Sequence, residues 1–219
     1  FLYTSAGFTS LTDDHIDNLE VMAGVVGPAA LGEQIQRNVH KVTNSPDPQG
    51  WDHQLHNEPG LVLSWNRRWP ETYRAEVGKT HLRASPHVGV SLGNIYTYAA
   101  TGLTVQLTPS AYKWQSIPLR VRPALAGNGY FNVPEDKLAW SLFSGIEGRA
   151  IGRNIFLDGN TFRDSPSVDK KHFVMDVSAG ASVTYGRTQL SYTLNWRTKE
   201  FQGQDDRSVF GAVSLGYRF

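Results

Sequence analysis

The chain has 219 residues with a formal net charge of +1, 40% hydrophobic and 19% charged residues, no Cys and two Met, against 21 Gly, six Trp, nine Tyr and ten Phe. Near-balanced charge without a basic block gives no electrostatic footprint for nucleic acid, the absence of low-complexity tracts excludes disorder, and zero Cys removes disulfide frameworks, thiolate zinc sites and Cys nucleophiles together. The longest uncharged apolar stretch, 21–32, is interrupted by Pro28 and falls short of the roughly 18–20 residues a spanning helix needs, so a helical membrane protein is excluded and 1–219 reads as one β-rich domain.

The chain opens at Phe1 in what reads as mid-strand, without an initiator Met or a targeting segment. It is therefore expected to be a processed or trimmed product lacking an upstream segment. Residues 1–10 and 16–26 are the first two strands, joined by a short turn. The stretch 26–59 has a different pattern. Pro28 stands near a helix start, Ala30, Leu31, Ile35 and Val39 recur at helical spacing, and Asn44-Ser45-Pro46-Asp47-Pro48 ends the run. The spacing predicts a helix over roughly 29–43, packing its Leu31, Ile35 and Val39 face on the adjoining strands.

On the other face of that helix Gln36 and His40 stand at i and i+4 and are surface neighbours. A side-chain amide so placed can orient an imidazole or share a water with it. His is the usual general base near neutral pH because its unperturbed pKa is about 6.5. On spacing alone, an ordinary surface or satisfied structural His explains His40 better than a catalytic one. His53 and His56 follow, but the three spacings match no zinc pattern such as H-E-x-x-H.

Strands are expected next at 60–69, 82–92 and 97–107. Gly89-Val90-Ser91-Leu92-Gly93 satisfies G-x-S-x-G, yet a strand follows where a nucleophile elbow needs a helix. Gly78-Lys79-Thr80 resembles the end of a phosphate loop, but Tyr73 stands where the first Gly should be. Both read as turn and strand residues. The connection 108–137 is long and carries no explanatory pattern.

Alternation is clearest in the remaining strands, 138–150, 172–185, 188–198 and 207–219. Phe173, Met175, Val177, Ala179, Ala181, Val183 and Tyr185 form one face of the second of these, while Asp176, Ser178, Gly180, Ser182 and Thr184 form the other. Glu147 and Arg149 occupy the wet face of 138–150. A soluble sandwich also alternates, but its outward face is usually richer in Lys and Glu. Small hydroxyl residues and Gly on one face, with aromatics near strand ends on the other, predict an all-β fold: an antiparallel transmembrane β-barrel with a polar lumen and one extracellular loop helix.

The final strand, with Val209, Gly211, Val213, Leu215, Tyr217 and the terminal Phe219 on alternate positions, resembles the signal by which the barrel-assembly machinery recognises bacterial outer-membrane barrels. Bacterial single-chain barrels normally have an even number of strands with both termini on one side. About nine strands are countable, so an odd number is expected to be missing upstream. The same parity puts 26–59, 154–171 and 199–207 outside the cell.

These residues resemble the outer-membrane lipid A 3′-O-deacylase family. The resemblance rests on Gly27-Pro28-Ala29-Ala30-Leu31-Gly32-Glu33-Gln34-Ile35-Gln36-Arg37-Asn38-Val39-His40, on Trp51-Asp52-His53-Gln54 with Asn57, and on Gly148-Arg149-Ala150 with Asp158-Gly159-Asn160. It implies a monomeric twelve-stranded barrel in the bacterial outer membrane, about nine of whose strands are present here. It also implies lipopolysaccharide as substrate, loss of the ester-linked 3′ acyl chain, and a site between helix and barrel wall. There His40 would be the base toward water, Gln36 its companion, and Ca²⁺ the group that polarises the ester carbonyl, with ligands upstream of Phe1. Lys41, Arg163, Lys170 and Lys171 could meet lipid A phosphates, although solvated loop charges explain them more simply. The acidic residue that the family carries after the His helix falls near Pro46. The alternative is a non-catalytic outer-membrane barrel, a pore or structural protein, sharing the fold.

Overall fold

The computed structural model describes residues 1–109, 122, 131, 133 and 138–219. Ten strands form one antiparallel sheet: β1 (Leu2–Leu11), β2 (Ile16–Val26), β3 (Glu58–Arg68), β4 (Tyr73–Val77), β5 (Thr80–Gly93), β6 (Tyr96–Pro109), β7 (Leu138–Asn154), β8 (Phe173–Tyr185), β9 (Thr188–Arg197) and β10 (Ser208–Tyr217). The order is β1-β2-β3-β5-β6-β7-β8-β9-β10, with β4 paired to β5 off this path. Every neighbour in the path is also the next strand in the chain, as in an up-and-down barrel wall, once β4 is set aside.

The expected strands are all present, some longer than the alternation suggested. β4 is new. It takes up the β5 edge at Tyr73↔Ala84 where β3 leaves it at Arg68↔His87, so it continues β3 after an interruption at 69–72. The parity of strands is therefore unchanged. Gly78 turns β4 into β5 with φ of 62°, so Gly78-Lys79-Thr80 is a hairpin turn, and the G-x-S-x-G run lies within β5. Of the long connection 108–137, the stretch between β6 and β7 lies almost wholly outside the described residues. Arg122 makes an ion pair with Glu20 of β2, and Arg218 donates to the Phe131 carbonyl at 3.3 Å.

The wall is inside-out relative to a soluble fold. Its concave face buries Arg83, His87, Ser91, Thr104, Gln106, Ser141, Glu147, Arg149, Asp176, Asn195 and Arg197, while Leu61, Leu63, Leu142, Phe173, Val183, Leu190, Tyr192, Val213 and Leu215 are exposed on the convex face. Only a non-aqueous surrounding makes that distribution favourable: apolar side chains gain nothing from facing water, and buried polar groups need partners. Several find them in one another. Ser141↔Ser182, Ser182↔Ser191 and Ser191↔Ser214 are register pairs, so one row of hydroxyls crosses β7, β8, β9 and β10, with hydrogen bonds at Ser141–Ser182 and Ser191–Ser214.

Charge is neutralised in the same way. Asp176 accepts two bonds from Arg149 at 2.8 and 3.0 Å and two from Arg197, both at 2.9 Å. Arg149 also reaches Glu147 at 3.1 Å, and Glu147 reaches His87 at 3.3 Å. An apolar cluster lies on the concave side at one end, made of Met22, Val26, Val62, Ile95, Tyr96, Tyr98, Ala100, Ile151, Ile155 and Val174, with Phe1 and Leu55 against them. That cluster closes the polar interior beneath the long β2–β3 and β7–β8 connections.

In β10 the odd residues are exposed and the even ones half-buried, which agrees with the period-two reading. The chain has no Cys, so single-Cys probes can test the register cleanly. Labels at Val213 and Leu215 are expected to be quenched by a lipid-soluble quencher and labels at Ala212 and Ser214 spared. The opposite pattern would shift the strand by one residue.

Candidate functional site

Between β2 and β3 the chain builds a platform over the apolar cluster: a 3₁₀ turn (Pro28–Ala30), a helix α1 (Gly32–Thr43) and a second 3₁₀ turn (Trp51–His53). The predicted helix over 29–43 is thus present but broken at Leu31, which holds φ of 58° and so stops the 3₁₀ turn and starts α1 in a new direction. Two glycines of the G-P-x-x-x-G stretch have steric reasons. Gly27 has φ of 93°, and a Cβ there would lie 2.6 Å from the His56 backbone, while a Cβ on Gly32 is in tight contact at 3.0 Å with the Trp51 ring.

The platform is fastened by amides and a carboxylate. Asn57 accepts from the Ala29 backbone at 2.8 Å. Asn160, beyond the short helix α2 (Ile155–Asp158), accepts from the His56 backbone at 2.9 Å and donates to the His56 carbonyl at 3.0 Å. Glu58 accepts from Asn94 at 2.9 Å, Asn160 at 3.0 Å and the Thr161 backbone at 2.7 Å. Asn57 and Asn160, both part of the resemblance, therefore hold the platform together.

Glu58 is the first residue of β3, paired with Val26 at the very end of the strand, at the rim beside the Gly93–Tyr96 turn. Burial alone would raise its carboxyl, but the bonds from Thr161, Asn160 and Asn94 outweigh burial and hold it at about 2. A depressed folded pKa means that the clamp is complete above the ordinary Glu range and is lost only as pH falls toward 2. Amide exchange at Thr161, corrected for its intrinsic pH dependence, is accordingly expected to stay slow from pH 7 to pH 4. Glu58→Gln should quicken it across that range, and a wild-type rate that rises already near pH 5 would show the clamp to be absent.

Gln36 and His40 lie on α1 as expected, but the two side chains have different partners. Gln36 accepts from the Trp51 indole at 3.0 Å, so it holds the 51–53 turn against the helix instead of orienting the imidazole. His40 Nδ1 is 2.5 Å from the Pro46 carbonyl oxygen. A carbonyl can only accept, so Nδ1 carries the proton and Nε2 keeps a free lone pair, the tautomer a general base requires. The turn that allows this is local: Asn44 takes the left-handed conformation at φ of 52°, and Ser45 donates its backbone N–H to the His40 carbonyl at 2.9 Å. Pro46 has no acidic side chain, yet its backbone oxygen sits where a carboxylate would orient the ring.

The expected packing of the apolar helix face is not found. Leu31, Ile35, Val39 and Val42 are 50, 57, 51 and 88% exposed, and no residue of α1 is buried. The helix is instead anchored through its Gly32 and Gln36 side, where the small residue admits the Trp51 ring. At the start of the helix, where Gly32 is in the lining, opens a cavity of about 420 Å³ lined also by Phe1, Val26, Ala30, Trp51, Leu55 and Phe156 among others. Sequence patterning missed Leu55 and Phe156 as lining residues, because neither belongs to a periodic run. Among the described residues no group of three or more His, Asp and Glu could hold a metal ion.

The family described as Outer membrane protein LpxR matches residues 1–219. Among solved structures, that of LpxR from Salmonella typhimurium is similar, with a TM-score of 0.80 at 24% identity, over 99% of this chain and 72% of that one. No curated protein matches by sequence.

Proposed function

The chain belongs to the family of the outer membrane protein LpxR, and on that premise we propose that it is an outer-membrane hydrolase that removes the 3′ ester-linked acyl chain from lipid A of lipopolysaccharide. The observation that carries this reading is the His40 tautomer, held by the Pro46 carbonyl on a helix that also carries an exposed apolar stripe and whose first residue, Gly32, lines an apolar cavity. The stripe and cavity offer an acyl chain a place to lie, and the long connections, including the platform, are read as facing the leaflet that holds lipid A.

In the proposed reaction His40 Nε2 takes a proton from water as its oxygen attacks the ester carbonyl carbon. The tetrahedral species then collapses, the C–O bond to the sugar breaks, and His40 returns the proton to the departing sugar oxygen. The Pro46 carbonyl accepts from Nδ1–H throughout and stabilises the transient imidazolium. Gln36 supports the site by fixing Trp51, a positioning role. A Ca²⁺ would polarise the ester carbonyl by the family resemblance, but the described residues do not assemble a ligand set, so no step here is routed through it.

The competing reading is a pore or structural barrel. The luminal charges around Asp176 disfavour a pore because they are matched to one another across adjacent strands. The test is incubation of the purified whole protein with lipid A vesicles, in EDTA and with calcium restored. Mass spectrometry is expected to show lipid A lighter by its 3′ acyl substituent in calcium. Intact lipid A under both conditions, with an intact barrel, would favour the non-catalytic reading.

A further inference from the structure

A second and larger groove, of about 850 Å³, lies across β6, β7 and β8 on the convex face, away from the platform between β2 and β3. Its floor is made by residues too small to fill it: Ala99 of β6 and Gly148 and Ala150 of β7, which are register neighbours. Phe173 and Met175 of β8 form its side. A Cβ added at Gly148 would meet nothing within 4 Å, so the space above it is open.

Where the strands end, three cations complete the lining, Lys171 from the β7–β8 connection and Lys199 and Arg207 from the β9–β10 connection, and among the described residues no acidic one lines the groove. Their neighbour Lys170 is already committed to Asp158 at 2.5 Å. No carboxylate among the described residues forms an ion pair with any of the other three. The two connections are tied together: Lys171 donates its backbone N–H to the Glu200 carbonyl at 2.8 Å, Gln202 donates to the Asp169 carbonyl at 2.8 Å, and Thr198 donates to the Met175 carbonyl at 2.9 Å. The backbones carrying Lys171 and Lys199 are thus held side by side without a ligand.

An apolar furrow on the membrane face, with unpaired cations at the level where strands leave the membrane, matches a lipid in order and in charge: chain below, anionic head above. A second copy of this chain would bring like charges together at the same level. We propose that the groove is a binding site for one phosphorylated lipid, its phosphate between Lys171, Lys199 and Arg207 and an acyl chain over Gly148 and Ala150. The head group is that of lipid A, an identity that rests on the functional reading above, whereas the existence of the site does not. Held there, the lipid would be a bound neighbour of the wall and not the molecule under attack at His40.

Native mass spectrometry of the whole protein in neutral detergent tests this, with His40→Gln present in every arm so that lipid is not consumed. Diphosphoryl lipid A is compared with the same lipid stripped of phosphate and with inorganic phosphate alone. The parent is expected to retain one lipid A more than a Lys171→Ala/Lys199→Ala/Arg207→Ala variant, whose affinity for that lipid should fall about tenfold or more. Gly148→Leu, whose Cβ meets nothing within 4 Å and whose side chain enters the groove, should lose the same lipid while heat-modifiable gel migration shows an intact barrel. Equal retention by either variant, or by the dephosphorylated lipid, overturns the proposal. Inorganic phosphate binding as tightly as lipid A would overturn it too, by assigning the cations to a free anion. None of these outcomes depends on whether acyl chains are released at His40.

Discussion

His40→Gln is expected to lower release of the 3′ acyl chain by about 10²–10⁴-fold, the usual contribution of a positioned general base, with barrel assembly unchanged. Glutamine can keep a hydrogen bond to the Pro46 carbonyl through its amide, but it has no lone pair basic enough to take a proton from water near neutral pH. The residue stands on α1, half-buried and outside the strand ladder, so the variant should still migrate as a heat-modifiable barrel. Gln36→Ala separates positioning from chemistry. It removes the acceptor of the Trp51 indole and should loosen the platform and weaken substrate binding more than it lowers the maximal rate. A His40→Gln protein that releases acyl chains at the wild-type rate would remove His40 from the mechanism.

Asp176→Ala is expected to cost about 3–5 kcal/mol of barrel stability, the range for breaking a buried ion pair from one side. Two guanidinium groups, those of Arg149 and Arg197, each place two hydrogen bonds on this one carboxylate. Glu147 can still reach Arg149, and Glu200 lies 3.5 Å from Arg197, but the carboxylate that joins the two guanidinium groups would be gone. Urea denaturation in micelles, followed by the loss of heat-modifiable migration, should show the midpoint falling well below that of the parent. Asp176→Asn, which keeps the shape and one acceptor, should lie between the two. A midpoint unchanged in Asp176→Ala would mean that water reaches the cluster and screens it.

The wall was legible in the sequence because one residue step moves a side chain from one face to the other. The Asp176, Ser178, Ser182, Thr184 series could be assigned to the polar interior from alternation alone, and so could the lipid-facing series through Val213 and Leu215. β4 was not legible, since five residues, Tyr73–Val77, with no buried position carry no one-sided pattern. The helix was found from its spacing, but amphipathicity marks an apolar stripe without saying what covers it, and among the described residues it stays exposed. The pairing of Gln36 with Trp51 spans fifteen residues and depends on Gly32 admitting the ring, which no local pattern encodes. The orientation of His40 by a backbone oxygen is invisible to any reading that searches for side-chain partners.

Attack by water at the ester carbonyl is the central claim, and it is tested most directly by running the reaction of the whole protein with lipid A in ¹⁸O-labelled water. The freed fatty acid is predicted to carry one labelled oxygen in its carboxyl group, with none in the sugar hydroxyl left behind, because the bond broken is that between the acyl carbon and the sugar oxygen. A freed acid without label, or label in the sugar hydroxyl, would contradict it.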